Sequence, residues 1–200
     1  MRRIVMFNWL TADGYFSGLD GSLNWVVPAE EQAQAAAEGI SGVDTVLFGR
    51  RTYERFEAFW RHALDDVSAT VPDPHRPGQR SREHRVIAAG LNEMTKLVFS
   101  RTLKDVTWRN SRLVHDLDPR EIETMKKQPG KDMIVFGSGS IVSQLTQHGL
   151  IDEYQFCVCP IFLGSGRPLL GEVSKSVRLD LLEARAYRSG DVLLRYARSS

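Results

Sequence analysis

The chain has 200 residues and a mass of 22.6 kDa, which is enough for one domain with a sizeable buried core. Its 26 basic and 25 acidic residues leave a formal charge of +1, so the balance gives no reason to expect nucleic acid or an anionic membrane as a partner. Hydrophobic residues make up 42% and charged residues 26% of the chain, which excludes a disordered protein.

Apolar runs in the sequence are only a few residues long, far below the ~20 residues that a membrane-spanning helix needs. Asn8 interrupts the first run and no small-residue cleavage site follows it, so a signal peptide is not expected. We therefore expect a single domain over residues 1–200 that works in the cytoplasm.

The first part of the chain alternates predicted strands and helices. An almost wholly apolar segment is typical of a strand covered on both faces, and the glycine-rich segment after it predicts a long loop. An alanine- and glutamine-rich segment behind Pro28 predicts a helix. In chain order the predicted elements are strand Arg3–Leu10, loop 11–21, helix Ala29–Ile40, strand Asp44–Phe48 and helix Arg50–Trp60.

The segment Pro72–Arg85 carries three prolines and Gly78, which predict a mobile loop inside one domain rather than a domain boundary. Its arginines either contact a phosphorylated substrate or lie on a solvent-exposed loop. They are Arg76, Arg80, Arg82 and Arg85.

Strands outnumber helices in the second half of the chain. An acid at Asp118, a proline after it and Glu121 form a typical helix start, and Gly149 is placed to end another helix. The tail predicts an antiparallel hairpin around Ser189-Gly190. The predicted elements are strands Lys96–Phe99 and Arg112–His115, a helix from Pro119 to near Gly130, strand Met133–Phe136, helix Ile141–His148, strand Tyr154–Phe162, and hairpin arms Leu182–Arg188 and Val192–Ala197.

Two cysteines, Cys157 and Cys159, lie two residues apart in an apolar run. In a strand they project from the same face, which is a poor geometry for a mutual disulfide. No further Cys or His stands at a metal-ligand spacing, so we expect buried thiols and no metal site.

Three polar or glycine-rich turns stand at the carboxyl ends of predicted strands. Each one alone is compatible with an ordinary turn or with surface polarity. In an open α/β sheet, ligands bind outside these strand ends, so together the turns predict a phosphate-rich ligand. They are Gly137-Ser138-Gly139-Ser140, Gly49-Arg50-Arg51-Thr52 and Ser100-Arg101-Thr102.

Six segments, taken in order, resemble the dihydrofolate reductase superfamily, in the branch built on the reductase domain of the bifunctional riboflavin-biosynthesis deaminase/reductase. The resemblance covers about residues 3–197, with an interruption at Pro72–Arg85. The segments are Thr11-Ala-Asp-Gly14, Gly49-Arg-Arg-Thr-Tyr-Glu54, Ser100-Arg-Thr-Leu103, Val135-Phe-Gly-Ser-Gly-Ser140, Leu150-Ile-Asp-Glu153 and Pro160-Ile-Phe-Leu-Gly-Ser-Gly166.

The resemblance implies a three-layer α/β fold with a mixed, mainly parallel sheet, flanking helices and a C-terminal antiparallel hairpin. It also implies a homodimer and NADPH bound across the strand ends. By position, Arg50, Arg51 and Thr52, after Gly49, match the segment that holds the adenosine phosphates, and Ser100 and Arg101 match the turn that faces the 2′-phosphate. Gly137, Ser138, Gly139 and Ser140 match the turn under the pyrophosphate.

Two acids are candidates for the proton source that hydride transfer needs. Trp25-Val-Val-Pro28-Ala-Glu30 is similar to the segment in which dihydrofolate reductases keep a buried carboxylate, which implies a buried Glu30 with a raised pKa. The alternative is a helix-start acid that complements the dipole. Asp13 matches the loop over the nicotinamide, although a turn-forming aspartate explains it equally well.

The predicted strand Tyr154–Phe162 lacks the threonine that dihydrofolate reductases pair with their acid, which argues against folate as substrate. We therefore predict an NADPH-dependent reductase of a small heterocyclic or carbonyl substrate. The alternatives are the 5-amino-6-(5-phosphoribosylamino)uracil reductase of riboflavin biosynthesis and a catalytically silent nucleotide-binding module.

Overall fold

An eight-stranded mixed sheet forms the centre of the protein in the computed structural model, which describes residues 1–27, 29–65, 82–171 and 173–199. In chain order the elements of these residues are β1 (Ile4–Thr11), β2 (Tyr15–Ser17), α1 (Glu30–Gly39) with a 3-10 turn (Ile40–Gly42), β3 (Val43–Gly49), α2 (Arg50–Trp60), α3 (Arg82–Glu93), β4 (Thr95–Phe99), β5 (Ser111–Val114), α4 (Pro119–Lys127), β6 (Asp132–Phe136), α5 (Gly139–Gln147), β7 (Glu153–Cys159), β8 (Arg167–Pro168), β9 (Leu179–Ala186) and β10 (Val192–Arg198).

The strands of the main sheet lie in the order β5-β4-β3-β6-β1-β7-β10-β9. Pairing is parallel from β5 through β7 and antiparallel from β7 through β10 to β9. This is the predicted α/β fold with an antiparallel C-terminal hairpin. Because the six parallel strands point the same way, their carboxyl ends meet at one edge, where the three predicted turns follow β3, β4 and β6.

Alternate side chains of the central strands pack into apolar layers on opposite faces of the sheet. On β3, Leu47 joins the layer under α4 and α5, whereas Val46 and Phe48 join the layer under α2 and α3. Burial on both faces explains why these strands are continuous apolar runs in the sequence.

Helix-end signals in the sequence are confirmed. The carboxylate of Asp118 accepts a hydrogen bond of 2.8 Å from the backbone N–H of Arg120, and Pro119 occupies the first turn of α4. Gly149 follows α5 with a φ of 65°, a left-handed conformation that favours glycine and ends the helix.

Three predicted boundaries are wrong. Residues 82–85 belong to helix α3 rather than to a loop, because arginine favours helix as well as solvent exposure. The predicted long loop contains strand β2, and the strand predicted to reach Phe162 ends at Cys159. Pro28 and the part of the predicted mobile loop at 72–81, with Arg76 and Arg80, lie outside the described residues.

Among the described residues, no helix is long and apolar enough to cross a membrane. The same residues hold no cluster of three or more His, Cys, Asp or Glu side chains arranged to bind a metal ion.

Candidate active site

A groove of about 1950 Å³ crosses the sheet from the carboxyl ends of β3 and β6 toward the C-terminal hairpin. Ordinary small-molecule sites measure roughly 300–1,000 Å³, so this groove has room for a large and a small ligand together. Its wall includes Gly49–Thr52 and Gly137–Ser140 at one end, the aromatic side chains of Phe7, Trp9 and Phe136 in the middle, and Gln155 and Arg195 at the other end.

Ser138 joins two of the predicted turns. Its hydroxyl accepts a hydrogen bond of 2.8 Å from the backbone N–H of Gly49 and donates one of 2.9 Å to Thr52 Oγ1. Its own backbone N–H also donates to Thr52 Oγ1, over 3.1 Å. These three hydrogen bonds, which we call the Ser138 joint, hold the start of α2 against the start of α5.

The N-termini of α2 and α5 are left without capping side chains and without acids in the first turn. Ser138 is the N-cap of α5, yet its hydroxyl points to Gly49 and Thr52 instead of capping the helix. By contrast, α1 begins with two glutamates and α4 with a capping Asp118. Two uncompensated helix N-termini side by side attract an anion, because each carries free N–H groups and about half a positive charge.

The turn after β6 needs glycines, because a Cβ at Gly137 or Gly139 would lie too close to neighbouring atoms. Gly137 has a φ of 54°, and a Cβ there would lie 3.1 Å from Thr52 Oγ1. A Cβ on Gly139 would lie 3.1 Å from the ring of Phe16 and 3.3 Å from the Leu169 carbonyl. The bare backbone of this turn fits a pyrophosphate, which binds close to main-chain N–H groups.

The third predicted turn is tied to the other two through Arg50. The Arg50 guanidinium donates to Thr102 Oγ1 over 2.9 Å, which links the start of α2 to the residues after β4. Ser100 is buried, and its hydroxyl accepts from the backbone N–H groups of Thr102 and Leu103 at 3.2 and 2.9 Å. Ser100 therefore stabilises this turn through its own backbone hydrogen bonds, whereas the Arg101 side chain is exposed to solvent.

Glu30 lines the groove, but its expected burial is wrong, since the side chain is exposed at the start of α1. The buried residue of this turn is Gln32, which faces the sheet. Its Oε1 accepts from the backbone N–H of Ala29 at 2.7 Å, and its Nε2 donates to Asp191 Oδ2 at 2.9 Å.

The Asp13 carboxylate forms hydrogen bonds that link the loop after β1 to the loop after β7. It accepts from the Thr11 hydroxyl at 2.5 Å and from the backbone N–H groups of Leu163 and Gly164 at 3.1 and 2.8 Å. The Thr11 hydroxyl first, and then these backbone donors, hold the pKa of Asp13 below its usual range. All of these contacts hold the loop together, so the geometry supports the turn-forming interpretation.

The family model of the RibD C-terminal domain matches residues 2–193. The chain belongs to the RibD C-terminal domain family. Among curated proteins, the uncharacterized protein YyaP of Bacillus subtilis (strain 168) is 25% identical over 195 residues, which cover 98% of this chain and 94% of YyaP.

Solved structures show that the chain shares its fold with dihydrofolate reductase. A pyrimidine reductase-like protein from Corynebacterium diphtheriae superposes with a TM-score of 0.65 at 14% identity, over 100% of this chain and 92% of that one. The dihydrofolate reductase from Enterococcus faecalis, complexed with NADP(H) and RAB-propyl, has a TM-score of 0.62 at 13% identity, over 99% and 97% of the two chains.

A buried polar cluster at the hairpin end of the groove was not predicted from the sequence. Asp191, which is 4% exposed, accepts from Gln32 and, at 2.5 Å, from the Ser189 hydroxyl. Burial, with Asp191 nearby, raises the pKa of Cys157 to about 12 and also raises the pKa of Cys159. Both thiols are buried, as expected, and their raised pKa values keep them protonated at neutral pH. A Gly-Asp turn was the only sequence signal for Asp191.

The predicted site residues therefore fall into two groups. The turns after β3 and β6 meet at one end of the groove through Ser138, and Arg50 ties Thr102 of the third turn to them, whereas Ser100 and Arg101 are not among the residues that line the groove. Glu30 lies on the wall of the same groove, whereas Asp13 bridges loops.

Proposed function

We propose that this RibD C-terminal domain is an NADPH-dependent reductase that transfers a hydride to a small heterocyclic or carbonyl substrate. The observation that carries the proposal is the joint at Ser138, where two uncapped helix N-termini meet at one end of a groove large enough for two ligands. A dinucleotide with its pyrophosphate at this joint would leave room for a small substrate. The E. faecalis dihydrofolate reductase, which is complexed with NADP(H), supports a nicotinamide cofactor.

The residues at the joint suit each part of such a cofactor. Gly137–Ser140 and the start of α2 would hold the pyrophosphate through backbone N–H groups. Arg50, Arg51 and the turn Ser100–Thr102 would meet the adenosine side, because guanidinium groups bind phosphate in a forked geometry. When bound, the cofactor supplies the hydride.

The middle of the groove suits a planar substrate. The rings of Phe7 and Trp9 meet edge to face at 5.7 Å between centroids, and those of Phe7 and Phe136 at 6.3 Å. Aromatic walls of this kind favour a flat ring through stacking and edge contacts. This arrangement supports a heterocycle as substrate.

We assign the proton-donor role to Glu30. It is the acid of the groove wall that stands nearest in sequence to the buried anchor Gln32, and anchoring fixes the turn from which Glu30 projects. Asp13 is engaged by the Thr11 hydroxyl and by two backbone N–H groups and is not among the residues that line the groove, which makes it the weaker candidate. A general acid delivers the proton that must accompany hydride transfer to C=N or C=O.

Membership of the RibD C-terminal domain family favours one specific alternative, the 5-amino-6-(5-phosphoribosylamino)uracil reductase step of riboflavin biosynthesis. A silent nucleotide-binding module is the third possibility, because the phosphate end of the groove is better defined than the substrate end.

Two further parts of the proposal concern assembly and compartment. The first is a homodimer, which the family resemblance implies. The two reduced thiols fit the cytoplasm.

Titration calorimetry with NADPH tests the binding claim, and NADPH oxidation tests the reaction. The substrate panel contains the phosphoribosylamino-uracil, dihydrofolate and small carbonyl compounds. Saturable binding with turnover on one class supports the reductase. Binding without turnover on any class would favour the silent module, and no binding at millimolar NADPH would refute the proposal.

Glu30→Gln tests the proton donor on whichever substrate the panel identifies. It keeps the shape of the side chain and removes its transferable proton, so turnover should fall by roughly 100-fold or more with NADPH affinity unchanged. Glu31→Gln is the matched control, because it removes an equivalent charge from the same helix turn. Equal activity of the two variants would contradict the assignment.

A further inference from the structure

Tyr187 lies on the wall of the groove, immediately after β9. Side chains alternate between the two faces of a strand, and Glu183, Arg185 and Tyr187, at every second position, all line the groove. The backbone of Tyr187 is fixed in the hairpin turn, because its N–H donates to the Asp191 carbonyl at 2.9 Å and its carbonyl accepts from the Gly190 N–H at 3.0 Å. The fold therefore sets the position of this side chain.

The ring of Tyr187 is held by packing. It is 8% exposed and forms a small apolar cluster with Cys157 and Leu193. Phe7 and Trp9, the aromatic side chains in the middle of the groove, pack against the same cluster. The ring therefore borders the part of the groove that suits a planar substrate.

The hydroxyl of Tyr187 differs from those of the other two buried tyrosines. Tyr53 Oη accepts from the backbone N–H of Trp108 at 3.0 Å, and Tyr154 Oη donates to Thr146 Oγ1 at 3.1 Å. Within the described ranges of the chain, no group forms a hydrogen bond with the hydroxyl of Tyr187. A buried tyrosine ordinarily gives its hydroxyl a partner, and a phenylalanine would fill an apolar cluster equally well.

The same hydroxyl opens onto the groove. In the part of the chain that the structure describes, Trp25 Nε1 and Ser111 Oγ are the buried side-chain polar atoms without a partner, and Tyr187 Oη is not one of them. An oxygen that makes no hydrogen bond and is not buried faces open space, and the groove is the open space that this side chain lines. The hydroxyl therefore indicates a partner that enters the groove.

Burial raises the pKa of Tyr187 above its usual range, so the phenol stays protonated at neutral pH. A protonated phenol donates one hydrogen bond, and it is a poor acid for proton transfer at that pH. The hydroxyl of Tyr187 therefore suits the binding of an acceptor atom, whereas proton delivery stays with Glu30.

We propose that Tyr187 is a specificity-determining residue whose hydroxyl donates a hydrogen bond to a carbonyl oxygen or ring nitrogen of the substrate. The inference rests on the proposed function, because it takes the groove as the substrate site. A site with such a donor favours substrates that carry an acceptor, since an apolar edge would leave the hydroxyl unpaired.

The test is calorimetric binding of the substrate panel and of NADPH to the wild type and Tyr187→Phe, with urea denaturation of both proteins. Tyr187→Phe keeps the ring and removes the hydroxyl. The panel compound that binds the wild type most tightly should bind the variant about three- to tenfold more weakly, which corresponds to one neutral hydrogen bond. NADPH affinity and the urea midpoint should stay unchanged, because the hydroxyl has no partner within the described residues.

Tyr154→Phe is the matched control. It also removes a buried phenol hydroxyl, but Tyr154 packs on the opposite face of the sheet and donates to Thr146. This variant should lower the urea midpoint and leave every affinity unchanged.

Three results would overturn the inference. They are equal affinity of the wild type and Tyr187→Phe for the panel compound, an equal loss of affinity for that compound and for NADPH, and no binding of any panel compound to the wild type. If NADPH does not bind while the affinity for a panel compound still depends on Tyr187, the proposed function fails and the inference stands.

Discussion

The Ser138 side chain occupies the N-cap position of α5 but does not cap that helix. A serine at an N-cap ordinarily satisfies N–H groups of its own helix. Here the hydroxyl forms hydrogen bonds with Gly49 and Thr52 instead, and the backbone of Ser138 has a left-handed φ of 57°. The N-terminus of α5 is thereby kept available to a ligand.

Ser138→Ala should destabilise the fold and weaken nucleotide binding together. It leaves the buried N–H of Gly49 without its acceptor, which costs about 1–3 kcal/mol in the free energy of unfolding. Urea denaturation and NADPH calorimetry measure the two effects. Ser140→Ala, whose side chain is exposed two residues later, is the control and should change stability by less than about 0.5 kcal/mol. Equal stability losses would show that Ser138 is an ordinary turn residue.

Cys157 makes the stability of the protein sensitive to alkali. Its folded pKa, raised to about 12, lies above the ~8.5 of a thiol in the unfolded chain. Below pH ~8.5 its contribution is fully present, and it is lost as pH rises toward 12, because only the unfolded chain then releases the proton.

The free energy of unfolding should therefore fall by about 1.4 kcal/mol per pH unit for this thiol between pH 9 and 11. Denaturant titrations of the wild type and Cys157→Ala across that range give the slopes. We expect a shallower slope in the variant, whatever its stability at pH 7. Parallel slopes would contradict the buried, protonated thiol.

At the scale of elements, the strands were predictable and the helix faces were not. Four strands can be recognised in the sequence as largely apolar runs, because strands buried on both faces have such sequences. They are β1, β3, β4 and β6. Helix α3 was missed because its arginines also suit a loop. Pro28 and the alanine- and glutamine-rich segment behind it located the start of α1 but not its rotation, which buries Gln32 and leaves Glu30 exposed.

The turns of the candidate site could be predicted from the sequence, but the contacts that join these turns could not. Each of the three turns follows a strand in the sequence, and parallel strand ends must meet. The contacts that join them depend on distant residues, for example Ser138 with Gly49, 89 positions apart. Asp191 and Gln32 are 159 positions apart, and no local pattern connects them.

The contact between α1 and the hairpin should behave as one energetic unit. Gln32→Ala and Asp191→Ala each leave buried polar partners unsatisfied, so each should cost about 1–3 kcal/mol. Together they should cost less than the sum, with a coupling of about 0.5–3 kcal/mol. Urea denaturation of the wild type, both single variants and the double variant supplies the cycle. Additive losses would mean that the 2.9 Å hydrogen bond contributes nothing of its own.

At the scale of the whole molecule, the cofactor should act as a fold stabiliser. The proposed site joins turns after β3, β4 and β6, so a ligand there contacts segments from three parts of the chain. NADPH at a hundred times its dissociation constant should raise the free energy of unfolding by about 2.7 kcal/mol, through mass action. Thermal denaturation with and without NADPH measures the gain, and an unchanged midpoint at saturating NADPH would contradict it.

The central place of β1 has a consequence for biosynthesis. This strand lies between β6 and β7, and Ile4 pairs with Met133 and Val5 with Glu153. A ribosome that adds about 5–20 residues per second needs on the order of 10 s to deliver the first of these partners after β1. Throughout that interval this largely apolar strand has neither of its neighbours, so the nascent chain is prone to aggregation there. The sheet can close only when most of the polypeptide has left the exit tunnel.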